Sequence, residues 1–294
     1  MQIRAKLLGS AVAVLGSASL VMAGGAASAS ASASASASAS GMAAHRTPRV
    51  GRMLRAPGAS ARTVRGITKL DSYNWSGYAQ STKTDGTFTA VKDYWTVPTV
   101  TTKAGDQYSS DWVGIDGFSN QTLVQDGTEA DNINGTVKYD AWTEILPASE
   151  VVIPGLVISP GNSMEGLVEE TKPGTWKMTV FDLTTGKSGG RTVKYSSPGL
   201  SVEVIHERPE VGGGLANLAT TTNVTFDPGS LSTAPPGTPT WKPLLKVVTG
   251  ATLNEIFMLN NPGTAIIASP SAPDSDSDGF TVADGATSPP PPKS

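Results

Sequence analysis

The chain has 294 residues, 38% of them hydrophobic and 16% charged, with a formal net charge of −3 at pH 7. That length holds one large β domain or two small ones, and that hydrophobic content excludes a chain disordered throughout. There is no Cys, which excludes disulfides, a thiolate nucleophile and cysteine metal sites.

Residues 1–29 read as a signal peptide. Arg4 and Lys6 form a short basic region, Leu7 to Met22 is apolar and small, and Ala23 to Ala29 offers small-residue cleavage sites. The apolar run is too short and too rich in Ala, Gly and Ser to suit a membrane anchor. Residues 30–65 read as a propeptide. An Ala-Ser repeat ending at Ser40 forms a flexible spacer, and Arg46, Arg49, Arg52, Arg55, Arg62 and Arg65 follow with no acidic residue among them. Residues 1–65 hold 8 of the 22 Lys+Arg and none of the 25 Asp+Glu, so the rest of the chain sets 14 basic residues against 25 acidic ones. A basic leader before an acidic body suits a propeptide lying over an acidic cleft; a disordered basic linker is the plainer alternative.

Residues 66–283 read as one β domain. Strands are predicted at Thr87 to Val97, Trp112 to Ile115, Val137 to Ile145, Met164 to Glu170, Trp176 to Leu183, Val202 to Glu207, Leu244 to Val248 and Leu253 to Leu259. Turn pairs separate them, among them Asp85-Gly86, Asn134-Gly135, Pro173-Gly174 and Pro262-Gly263. No amphipathic helix is evident. Many short strands at this spacing predict an all-β fold, a two-sheet sandwich or a barrel. Residues 284–294 form a loose Pro-rich tail.

Much catalytic chemistry is excluded. The chain has two His, and His206 alone lies in the body; no G-x-S-x-G elbow accompanies it. His206-Glu207-Arg208-Pro209-Glu210 ends in Glu where a zinc-protease helix needs His, and Pro209 would break that helix. No Asp-Thr-Gly, P-loop or dinucleotide fingerprint is present, and neither a cofactor nor a metal is expected. Asp274-Ser275-Asp276-Ser277-Asp278-Gly279 copies the first half of a calcium loop, but the twelfth position is Gly285, so a solvated turn is the preferred reading.

Two strands concentrate carboxylates. Period 2 puts Asp140, Trp142 and Glu144 on one face, and Glu203, Ile205 and Glu207 on another, with Val202 and Val204 turned to the core. His206 falls on the face opposite Glu207. Such a carboxylate face is either an ordinary solvated surface or the wall of a groove, and residue pattern alone leaves both open.

At this point five segments match one family in order. Trp112-Val113-Gly114-Ile115-Asp116-Gly117 resembles the W-V-G-I-D-G motif of the glutamic peptidases, the eqolisins. Leu123-Val124-Gln125-Asp126-Gly127 is similar to L-x-Q-x-G, Tyr139 to Glu144 with Pro147 to Y-D-A-W-Y-E-W-x-P, and Val202 to Glu207 to A-E-x-I-x-E. Asn74-Trp75-Ser76-Gly77-Tyr78 resembles the block that opens the mature enzyme. The chain departs at His206, where fungal members carry an apolar residue, at Ile145, and in having no cysteine. The resemblance implies a two-sheet antiparallel β-sandwich of the concanavalin A or lectin-like type. It implies an acid-acting endopeptidase with Gln125 and Glu207 as catalytic pair, and a substrate-binding surround of Trp112, Asp116, Asp140, Trp142 and Glu144. Protein or peptide substrates are expected, with the chain's own basic propeptide as inhibitor. A secreted monomer is expected, with no nucleic-acid partner and no membrane association once the signal is removed. A carbohydrate-binding or glycoside-hydrolysing lectin-like β-sandwich is the alternative, since paired carboxylates and Trp also suit a sugar cleft.

Overall fold

The structure, a computed structural model, describes residues 49–56 and 61–294. The expected signal peptide and Ala-Ser spacer lie outside the described residues. Those described contain no helix and 21 strands.

The strands form two layers, and the all-β sandwich expected from the sequence is the fold. In hydrogen-bonded order, one layer runs Thr136–Ile145, Val124–Ile133, Ser110–Ile115, Ser201–Glu207, Trp75–Ser81, Thr252–Leu259 and Ile67–Ser72. All of these pairings are antiparallel except the last. The second layer runs Lys187–Lys194, Thr175–Asp182, Ser163–Lys172 and Ala90–Thr96, and then Val224–Phe226, Phe280–Asp284 and Ile266–Pro270. Ile266–Pro270 also pairs with the end of Thr252–Leu259, which joins the layers along one edge.

The two-residue period decides what each layer buries. Val113, Ile115, Val202, Val204 and Val124 point between the layers and meet Val91, Trp95, Met164, Val168, Met178 and Phe226 from the second. Burying one such side chain stabilises by roughly 1.5–3 kcal/mol. The intervening residues of the first layer face outward. There Trp75, Ala79, Trp112, Leu123, Trp142, Ile205 and Ile256 form a second apolar cluster. This outer face carries the site described below.

Some elements differ from expectation. Leu244 to Val248 is not a strand. Leu244 and Leu245 are both buried, and period 2 cannot bury neighbours on one face. The Gln80 side chain fixes that segment instead. Its Nε2 donates to Leu244 O at 2.6 Å and Lys246 O at 3.1 Å, and its Oε1 accepts from Val248 N at 2.8 Å. Val124–Ile133 is a ten-residue strand with no alternation in its sequence, because nearly every residue in it is buried, polar ones included. Arg62–Val64 pairs with Ile67–Ser72, so a hairpin crosses the expected boundary at residue 66. Past Asp284 the tail forms no strand.

Among the described residues, Asp126 and Glu203 are two of the carboxyls buried in this fold with no ion-paired cation. Asp126 lies fully buried between the layers, with Oδ2 accepting the Thr179 amide at 2.8 Å. Burial holds its pKa well above the usual range, against the pull of backbone hydrogen bonds. Glu203 is fully buried on the outer face of its strand, and burial and then the charge of Asp116 raise it too. A carboxyl raised in the folded state binds its proton more tightly there than in the unfolded chain. Its contribution is complete in acid and is lost as pH rises from the ordinary carboxylate range through the folded value. Thermal unfolding followed from pH 4 to pH 8 should therefore give a falling Tm. Asp126→Asn, which keeps an acceptor for Thr179, should flatten that fall; an unchanged slope would contradict this assignment.

Candidate active site

The site is built by register. Gln125 stands opposite Glu144 on one side and Gly114 on the other, and Gly114 stands opposite Glu203. One row further, Trp142, Gly127, Trp112 and Ile205 align; the next row holds Asp140, Glu129, Ser110, Glu207 and Trp75. These side chains therefore share the outer face of the first layer. Gly127 makes the rows fit. A Cβ there would strike Asp111 O and the Cβ of Trp112, so only glycine lets the two strands approach this closely.

Glu207 ends its strand almost fully buried. Its Oε2 accepts from Trp112 Nε1 at 2.7 Å and its Oε1 from Asn74 Nδ2 at 3.2 Å. Burial pushes its pKa well up and the charge of Glu144 pushes the same way, while hydrogen bonds from Trp112, Asn74 and Trp75 pull it down. Gln125 is buried beside it, with Nε2 donating a short hydrogen bond to Glu144 Oε2. Trp75 and Trp112 meet edge to face, ring centroids 5.0 Å apart, and wall the carboxylate off from water.

These groups converge on the leader. A Cβ added to Gly51 would lie 2.7 Å from Gln125 Nε2, 3.3 Å from Glu144 Oε2 and 3.4 Å from Glu207 Oε2. The segment around Gly51 is held through its backbone. Arg49–Val50 pairs antiparallel with Glu210–Val211. Gly51 O accepts from Trp75 Nε1 at 2.9 Å, and Arg52 O from Asn74 Nδ2 at 2.8 Å. Met53 N donates to Gly117 O at 3.3 Å, and Leu54 N to Asn74 Oδ1 at 2.7 Å. Met53 is buried in the outer apolar cluster with Trp75, Trp112, Phe118 and Trp142. Arg55 stacks its guanidinium over Phe118, 5.0 Å from the ring centroid.

Of the residues singled out from sequence, Gln125, Glu207, Glu144 and Trp112 come together at this point, and Trp142 lies in the same apolar cluster. Asp140 is half-buried on the outer face, across from Glu129. Asp116 sits apart. In a left-handed backbone conformation (φ 73°), it accepts hydrogen bonds from Leu200 N at 2.8 Å, Gly199 N at 3.0 Å and Asn120 Nδ2 at 2.9 Å, and a short one from Ser197 Oγ. It braces the 197–200 segment instead of lining the site. His206 is buried on the inner face, with Nδ1 2.7 Å from Asp111 Oδ1. Burial would lower its pKa, but the charge of Asp111 and its hydrogen bond outweigh that and raise it. Asn74 and Trp75 were absent from the predicted set, although the Asn74-Trp75-Ser76-Gly77-Tyr78 block had marked their position. Nothing in the residue pattern singled out Gly51.

Comparison with known proteins identifies the family. The Peptidase A4 family matches residues 73–256. Aspergillopepsin-2 of Aspergillus niger is 35% identical over 123 residues, which is 40% of this chain and 44% of that protein. Scytalidopepsin B of Scytalidium lignicola is 28% identical over 149 residues, 50% of this chain and 56% of that one. The chain thus aligns with about half the length of these relatives. The crystal structure of scytalido-glutamic peptidase with a transition state analog inhibitor superposes with a TM-score of 0.59 at 23% identity, covering 72% of this chain and 98% of that one. Aspergilloglutamic peptidase from Aspergillus niger gives a TM-score of 0.52 at 26% identity, over 60% of this chain and 99% of that one. The match over residues 73–256, on a β-sandwich that gathers Gln125 and Glu207 at one point, places the chain in the Peptidase A4 family, the glutamic peptidases or eqolisins.

Proposed function

We propose that the chain is an exported, acid-acting endopeptidase in which Glu207 and Gln125 activate a water against a peptide bond. The observation that carries this reading is the peptide backbone lying across the convergence of Gln125, Glu144 and Glu207. A cleft that takes an extended strand by main-chain hydrogen bonds, with an apolar pocket for one side chain, is built for a polypeptide. The sugar-cleft reading gains no comparable support.

In the proposed reaction the ionised Glu207 carboxylate takes a proton from water, the oxygen attacks the scissile carbonyl, and the same carboxyl protonates the departing amine. Gln125 stabilises the developing oxyanion through an amide N–H. Glu144 fixes that amide by accepting from Nε2. Trp112 and Asn74 stabilise the anionic form of Glu207 and partly offset its burial. The neutral amide keeps its donors in acid, where a histidine base would be protonated.

The leader is proposed as the inhibitor of its own enzyme, removed after export. While Gly51 covers Glu207 and Gln125, neither substrate nor the attacking water can reach the Glu207 carboxyl. Arginines of the leader stay charged at any working pH, whereas the cleft carboxylates lose charge in acid. Acid therefore weakens the hold of the leader, and its release lets water reach Glu207.

Gln125→Ala should lower kcat/KM on denatured protein by roughly 10²–10³-fold, and Glu207→Gln by at least as much. Undiminished cleavage of denatured protein by Gln125→Ala would sink the dyad. In the full-length chain, Gly51→Val should push the leader off Gln125 and Glu207. It should shorten the lag before activity appears on acidification, with N-terminal sequencing locating the cut near Arg65; an unchanged lag would remove Gly51 from the inhibitory contact.

A further inference from the structure

Four aspartates from three separate segments meet at one end of the second layer, away from any residue assigned to the catalytic site. Asp227 follows the Val224–Phe226 strand, and Asp274 and Asp278 lie in the loop before Phe280–Asp284. One carboxylate oxygen from each of these three lies within 4.8 Å of the others. Behind them stands Asp93, on the inward face of Ala90–Thr96 between Val91 and Trp95, and fully buried.

What separates this cluster from a solvated acidic turn is the state of two buried oxygens. Asp93 Oδ1 accepts from Tyr94 N at 2.7 Å, but Asp93 Oδ2 has no hydrogen-bond partner. Asp274 is 8% exposed; its Oδ1 accepts from Asp278 N at 3.0 Å, and its Oδ2 also has no partner. A buried carboxylate oxygen without a donor costs several kcal/mol unless a cation meets it. Among the described residues, no lysine or arginine is ion-paired with any of the four.

The free Asp274 oxygen points into the cluster, and that of Asp93 lies beside Gly229 at its core side. Gly279 keeps the central space open, since a Cβ there would press on Asp274 Oδ2 and sit 2.8 Å from the Asp227 carboxyl. Gly229 does the same beside Asp93, where a Cβ would strike Asp93 Oδ2 and lie 3.0 Å from Asp278 O.

We propose that Asp227, Asp274 and Asp278 bind a calcium ion, in front of the buried Asp93 carboxyl. Calcium takes six to eight oxygens at about 2.3–2.6 Å, so oxygens around one ion lie at most about 5.2 Å apart, and the observed spacing fits. A set of carboxylates drawn from a loop and a strand end suits calcium. Zinc prefers His and Cys, and magnesium keeps much of its water. The incomplete calcium-loop pattern at Asp274 to Gly279 acquires a further carboxylate here from Asp227. The ion would pin that loop to the Asp227 turn.

The test uses the full-length chain at pH 7, stripped with EDTA and dialysed. Calorimetric titration with CaCl2 should reveal one saturable site, and Tm should rise with CaCl2 concentration. Asp274→Asn and Asp227→Asn should each weaken calcium binding at least tenfold. Asp227 is only half-buried, so its variant carries the test if Asp274→Asn does not fold. No heat and no Tm change up to about 10 mM CaCl2, above the range of weak extracellular sites, would overturn the proposal. So would unaltered binding in the variants, which would place the ion elsewhere, or an equal response to MgCl2.

Discussion

A carboxylate taken out of water must find donors, and Glu207 finds two on neighbouring strands. Trp112 Nε1 reaches it from one side and Asn74 Nδ2 from the turn that opens the strand on the other. Both depend on register: a slip of one residue along Ser201–Glu207 would send Glu207 between the layers and bring His206 to the cleft. The valines at 202 and 204 prevent that slip, since they would then face outward. The apolar core thus fixes the position of Glu207 by packing the other side of the same strand.

The leader exploits the same donors. Asn74 gives one amide hydrogen to Glu207 and the other to Arg52 O, while accepting from Leu54 N. Trp75 donates to Gly51 O. Groups that prepare the carboxylate therefore also hold a peptide backbone against it. A glycine at 51 is what lets the chain pass that close to Gln125, Glu144 and Glu207. The acidic character of the body has a related logic. Carboxyls buried without cations, such as Asp126 and Glu203, suit a protein that is most stable where they keep their protons.

Much of this was legible from sequence, unevenly. Strands with one apolar and one polar face, such as Val202 to Glu207, declared themselves by alternation. Val124–Ile133 did not, because buried carboxylates and amides on both faces erase the period. It carries Gln125, which only the family motif identified. Leu244 to Val248 misled because a segment with four apolar residues in five need not be extended; a single glutamine can hold it as a loop. Asp116 was read toward the site from its motif, yet its carboxylate is spent on backbone amides and side chains of neighbouring loops. The contact between Gly51 and a glutamate 156 positions later was beyond any local signal. The leader's charge hinted only that it would lie on the acidic body.

The central claim is that peptide backbone sits where Gln125, Glu144 and Glu207 converge. A synthetic peptide covering residues 46–56, assayed against the processed enzyme in mild acid, tests it most directly. Inhibition should be competitive with substrate and should weaken as pH falls and the cleft carboxylates lose their charge. Absence of inhibition, or a purely noncompetitive pattern, would contradict the placement of the leader over Gln125 and Glu207.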